Sequence, residues 1–130
     1  MTNYIDGFVL PIPKQHLEVY QRAAAQIAEI WKEHGALAYV ECVGDDLELA
    51  GTRSFVELVD ATEDEVVIFG WTVFPSREVR DRANAQVPGD PRMANIVAPL
   101  TDPARLIFDA ARMVFGGFRP IVESGSHERT

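Results

Sequence analysis

Apolar positions recur along this chain with two different periods, and the switches between them mark its elements. Tyr4 to Leu10 is an aromatic and β-branched run stopped by Pro11 and Pro13, which predicts a first strand. From Lys14 to His34 the period lengthens. Leu17, Tyr20, Ala24, Ile27 and Trp31 share one helical face, and Glu18, Arg22, Gln26, Glu29 and Glu33 take the other, where Glu18 and Arg22 stand close enough to pair. Gly35 tolerates positive φ and ends that helix. Leu37 to Val43 reads as a second strand, and Gly44-Asp45-Asp46 opens an acidic loop that runs to Ser54. Phe55 to Val59 fits a short strand and a turn of helix equally well. Glu65 to Phe74 is rich in Val, Ile, Phe and Trp and predicts a third strand buried on both sides. Pro75 ends it, and Ser76 is placed to N-cap a helix carrying Val79, Ala83 and Val87. Asp90-Pro91 opens a short helix to about Val97, and Thr101-Asp102-Pro103 repeats the start signal. Arg112 to Val122 reads as a fourth strand, with a bulge or a close backbone approach expected at Gly116-Gly117.

The order β-α-β-β-α-β, with helical additions before the last strand, is that of the split βαβ or ferredoxin-like arrangement. The expected fold is therefore α+β, a four-stranded antiparallel sheet with helices on one face. Its other face poses a question. A sheet wetted on one side alternates apolar and polar residues, yet Val66 to Phe69 and Met113 to Phe115 are apolar on both sides. A second copy of the chain, packed on the open face, is the simplest cover, and helical segments folded over that face are the alternative.

With 130 residues, the chain is sized for one domain, expected over 1–123, followed by a small and polar tail over 124–130. The formal net charge of -8 disfavours nucleic acid and anionic membranes as partners. No apolar run approaches the roughly 20 residues that span a bilayer, and the first residues lack the basic and apolar regions of a secretory signal. The single cysteine, Cys42, fits a reducing compartment, so the cytoplasm is the expected location.

A Gly-rich phosphate loop and a serine nucleophile elbow are both missing from the sequence. His16, His34 and His127 show no metal-ligand spacing, and neither a metal nor a cofactor is expected. Cys42 reads as a small core residue in preference to a nucleophile. His34 ends the first helix, where capping is the simpler use and a general base at a cavity mouth is the functional one. Asp6, Tyr39, Glu41 and Thr72 are polar groups on apolar strands. Strand parity puts Tyr39 and Glu41 on one face and Asp6 with Tyr4 and Phe8. If that face lines the space between two sheets, these groups are either the polar atoms of an apolar pocket or hydrogen bonds across a dimer. Trp71 is a candidate pocket wall. Arg77, Arg92 and Arg112 are cations that could bind an anion, although pairing with the abundant carboxylates is the simpler use.

Several short runs together resemble one family. They are Tyr4-Ile5-Asp6-Gly7-Phe8, His34-Gly35-Ala36-Leu37 with Tyr39-Val40-Glu41-Cys42, and Trp71 with Phe74-Pro75-Ser76-Arg77. Asp90-Pro91-Arg92-Met93, Phe108-Asp109, Arg112-Met113 and Gly116-Gly117-Phe118 continue the series. Together they resemble the YbaA-like family of bacterial proteins of unknown function (DUF1428). The stretch 94–107 looks longer than that family requires. The resemblance implies a ferredoxin-like protomer of the dimeric α/β-barrel group, with two sheets packed face to face. That wider group includes cofactor-independent enzymes. The functional expectation is a small cytosolic homodimer, joined through its open sheet face, that binds an apolar or aromatic metabolite in a cavity at the sheet, as a binder or a cofactor-independent enzyme. Asp6, His34, Tyr39, Glu41, Trp71 and Arg77 are the candidate contacts. The competing expectation is a non-enzymatic, stress-associated or interaction dimer with no ligand.

Overall fold

The computed structural model describes residues 2–125. The predicted tail from 126 onward, His127 included, lies outside the described residues. Strands β1 (Tyr4–Pro13), β2 (Ala38–Val43), β3 (Glu65–Phe74) and β4 (Val114–Phe118) form one antiparallel sheet in the order β2-β3-β1-β4. That is the ferredoxin-like order. The α-helices are α1 (Leu17–Glu33), α2 (Phe55–Val59), α3 (Arg77–Gln86) and α4 (Pro91–Val97), with short 3-10 turns between elements.

The start and stop signals act mostly as the sequence predicts. Gly35 adopts φ 111° directly after α1. Ser76 Oγ accepts a hydrogen bond from Val79 N at 3.2 Å, and Asp90 Oδ1 one from Arg92 N at 3.0 Å, so α3 and α4 begin where predicted. The stretch 55–59 is a helix, capped by Ser54. Thr101-Asp102-Pro103 starts no helix. Asp102 spends its carboxylate on Ala104 N in a single turn, after which Ile107 N and Phe108 N both bond Leu100 O. This fold-back buries Leu100 and Ile107 in the core. Strand β4 stops at Phe118, short of the predicted Val122, because Pro120 has no N–H to extend the ladder. Its pairing with β1 runs through Gly116 and Gly117 without a bulge.

Register assigns each strand residue to a face. Phe8, Leu10 and Ile12 of β1 and Ile68 of β3 pack against Tyr20 and Ala23 of α1. Phe74 joins Ile30, Ala83 and Val87 in a second cluster beneath the C-terminal half of α1 and α3. The buried stripe of α1 is Tyr20, Ala23 and Ile30, turned about one residue from the predicted face, and Trp31 is half-buried edge-on to Phe74. Glu18 and Arg22 do not pair among the described residues. Lys32 and Arg92 make the ion pairs on that helix face, with Glu29 and Glu33.

The expectation that the helices share one face fails for α2. Val59 packs on Val9 and Val67 of the opposite face, with Leu47 and Val56 around it, because the acidic loop after β2 carries the chain across the sheet. The rest of that face is open among the described residues. Phe69 is 42% exposed and Phe118 60%. Cys42 lies there too and is exposed, which corrects its reading as a core residue: parity with Val40 and Ala38 points it away from the helices.

Candidate functional site

Across the helix face of the sheet, Tyr39, Thr72, Asp6 and Gly117 stand opposite one another in register, one from each strand. Asp6 is 2% exposed and Thr72 4%, the two buried polar residues of the sheet. This polar row separates the Phe8 cluster from the Phe74 cluster. A carboxylate so placed needs a cation, since an unpaired buried charge is far more costly than a paired one. Arg80 of α3 supplies it, with Nε donating to Asp6 Oδ1 at 2.9 Å and Nη1 to Asp81 Oδ1 at 2.9 Å. Burial raises the Asp6 pKa, and the Arg80 charge pulls it only partly back. Asn84, one turn further along α3, also acts on Asp6, and its own Oδ1 is buried without a partner.

One row away, Glu41 on the edge strand β2 sits opposite Gly70. Tyr20 of α1 donates its hydroxyl to Glu41 Oε1, and Tyr39 donates to Oε2 at 2.5 Å. Both carboxylate oxygens are thus taken. Burial raises the Glu41 pKa above the usual carboxylate range against the two hydroxyl bonds, which lower it. The same burial, together with the neighbouring carboxylate charge, pushes both phenols up. The arrangement clasps α1 to the edge of the sheet.

At the sheet's other end a groove of about 680 Å³ opens between the start of β1, the start of α3 and the end of β4. Tyr4, Arg77, Phe118 and Arg119 line it, with Asn3, Ser76, Glu78 and Gly117. Arg77 and Arg80 flank the Tyr4 ring, with guanidinium carbons 5.8 and 5.2 Å from its centroid. Gly117 leaves room for this stack. A Cβ there would stand 2.6 Å from Arg80 Nη2 and 2.7 Å from Tyr4 Oη.

The six predicted contacts therefore do not converge. Tyr39 and Glu41 meet at the α1 clasp, and Asp6 lies in the adjacent row. That face turns to the helices of its own chain and not to an inter-sheet space. Arg77 lies in the groove. Trp71 is on the open face, 5.5 Å from the Phe69 ring, because its parity is opposite to that of Tyr39's partner Thr72. His34 caps α1 in a polar corner, Nε2 3.6 Å from Asp90 and Nδ1 3.3 Å from Gln86 Oε1. Arg92 bridges Glu33 and Asp90 there, and Arg112 grips Glu65 through two nitrogens, so these two cations serve as structural clasps. Sequence reasoning missed Tyr20, Arg80 and Arg119. The available signal for Arg80 was Asp6 itself, since an acid on a buried strand face demands a cation.

Residues 3–108 match the family model described as "Protein of unknown function (DUF1428)". The chain is 39% identical over 120 residues to "Uncharacterized protein YbaA" of Escherichia coli K12, covering 92% of this chain and 97% of that protein. Among solved structures it is similar to a mutant of SnoaB, a cofactor-independent oxygenase from Streptomyces nogalater, at TM-score 0.58 and 14% identity over 95% of this chain and 97% of that one. A dimeric ferredoxin-like protein from an uncultured marine organism gives TM-score 0.57 at 7% identity, over 98% and 95% of the two chains. A nipsnap family protein with unknown function from Agrobacterium tumefaciens gives 0.54 at 16%, over 92% and 88%. At these identities the structural likeness is one of fold.

Proposed function

The chain belongs to the DUF1428 family of proteins of unknown function, and from that premise we propose that it is a homodimer, joined through its open sheet face, that binds a small apolar or aromatic molecule in the groove at the sheet's end. The groove carries the reading. Its volume of about 680 Å³ falls within the roughly 300–1,000 Å³ common for small-molecule sites. Tyr4 offers a ring surface, and Arg77 is the one sequence-predicted contact among its lining residues.

Dimerisation is supported by the composition of the open face, where β1, β2, β3 and β4 contribute Ile5, Val40, Trp71 and Phe118, and the one charged strand residue, Glu65 at the end of β3, is paired with Arg112. Burying several hundred Å² of such surface at about 25 cal/mol per Å² is a substantial drive, against which association costs must be set. One solved protein of this fold is described as dimeric. The net charge of -8 argues against nucleic acid and anionic membranes as partners. Among the described residues no helix is long and apolar enough to cross a membrane. A reducing cytoplasm suits the exposed Cys42.

Binding is a better description than catalysis. Cofactor-free proton transfer needs an acid or base free to act beside the ligand. Among the groove's lining side chains Glu78 is the one carboxylate, and it is exposed on the first turn of α3, while both oxygens of Glu41 are occupied elsewhere. The test is a thermal-shift screen against small aromatic acids, quinones and acyl compounds. A ligand at about 100 times its dissociation constant adds roughly 2.7 kcal/mol of stability. The reading expects a shift that disappears when Tyr4 is replaced by Ala. A shift that survives that replacement, or none across the panel, contradicts it and favours an interaction dimer without a ligand.

A further inference from the structure

Resting on the groove reading above, we propose that the groove recognises a monoanionic aromatic carboxylate, with Arg77 and Arg119 holding the carboxylate and Tyr4 meeting the ring. Three arginines are committed elsewhere in the fold. Arg92 bridges two carboxylates, and Arg112 donates two bonds to Glu65 and one to Asp60 O. Arg80 spends Nε on Asp6 and Nη1 on Asp81. Arg22, Arg82 and Arg105 make no side-chain pair among the described residues either, but none of them lines the groove. Arg119 makes no hydrogen bond or ion pair among the described residues, and Arg77 reaches only Asp81, at 3.5 Å, with both side chains more than half exposed. A chain with 20 acidic and 12 basic residues has carboxylates to spare, yet among the described residues these two guanidinium groups, on the walls of one cavity, make no close carboxylate clasp of the kind Arg92 and Arg112 make.

Three further features fit an anion of this class. A guanidinium presents paired N–H donors matched to a carboxylate. At the start of the ten-residue α3, in the groove wall, Ser76 takes the N–H of Val79, while those of Arg77 and Glu78 have no acceptor among the described residues. The ring of Tyr4 is held in place by Arg77 and Arg80, so it meets a ligand already ordered. Glu78 in the same lining sets the charge limit. It repels a second negative charge and favours a monoanion over a dianion such as phosphate.

The experiment is an amide NMR titration of the full chain with benzoate, benzyl alcohol and inorganic phosphate. Benzoate is expected to move the amides of Asn3, Arg77, Gly117 and Arg119 and to bind about tenfold more tightly than benzyl alcohol, the value of one charge-assisted hydrogen bond. Arg119→Gln should remove that advantage and leave benzyl alcohol unchanged, while Arg22→Gln, on the solvated face of α1, should alter neither. Equal binding of alcohol and acid overturns the carboxylate assignment and leaves the groove reading standing. Phosphate binding as tightly as benzoate overturns the aromatic class. Failure of every probe to move groove amides overturns both proposals.

Discussion

On the helix side of the sheet, rows of apolar residues alternate with the row Tyr39, Thr72, Asp6 and Gly117, and each buried acid there has its partner: Arg80 for Asp6, Tyr20 and Tyr39 for Glu41. On the other side the one charged strand residue is Glu65, at the end of β3 and clasped by Arg112, and α2 covers the corner around Val9 and Val67 with Phe55 beside Phe69. The difference follows from when each face is completed. Polar groups on the helix face leave water during folding of one chain, so their partners must come from that chain. Apart from Glu65, which Arg112 pairs, the strands bring no charge to the open face, as a surface packing on a second apolar surface requires.

The same truncation on both faces gives the widest contrast. Phe74→Ala removes a fully buried ring and should cost about 3–5 kcal/mol in urea unfolding. Phe69→Ala, with its ring 42% exposed, should cost the isolated protomer under about 1 kcal/mol and show its effect in weaker association. Next comes the polar row. Arg80→Met strands the Asp6 carboxylate and should cost about 3 kcal/mol. Adding Asp6→Asn should recover part of that loss, a coupling that a double-mutant cycle reads directly. Ser76→Ala removes the cap of α3 beside the groove and should cost about 1 kcal/mol.

The smallest effect is one of slope. Burial raises the folded-state pKa of Glu41 above its unfolded value, so the stability tied to its protonation is fully present below the unfolded pKa and is lost as pH rises through the folded one. Glu65 works in the other sense. Arg112 lowers its pKa, and its contribution is lost as pH falls through the folded value. Comparing stability against pH for wild type and Glu41→Gln isolates the first term. The variant should lack the decline on the alkaline side of the unfolded pKa and keep the acid-side loss.

The fold was legible because its signals are local. Ser76, Asp90 and Gly35 mark helix ends through their own hydrogen bonds and dihedrals, and the unbroken apolar run of β3 announces a strand, though its expected burial on both sides holds on the helix face, from Ile68 to Phe74, while Phe69 on the other face is 42% exposed. The misreadings are of two kinds. Asp102-Pro103 carries the chemistry of a helix start, but the competing bonds to Leu100 O pull the chain back after one turn. The site was the harder case, because it depends on which strands are neighbours. Parity within one strand correctly separates Glu41 from Cys42. It does not reveal that Trp71 and Tyr39 lie on opposite faces, which follows only once Tyr39 is seen opposite Thr72. Arg119, beyond the end of β4, joins Arg77 in the groove only through the β1–β4 pairing.

The most direct test of the account is sedimentation equilibrium of the wild-type chain beside Trp71→Glu, which places a charge at the centre of the open face without touching the helix-side core. The account predicts a particle of two chains for wild type and of one folded chain for the variant, with unchanged far-UV circular dichroism. A wild-type monomer, or a variant that stays dimeric, would contradict it.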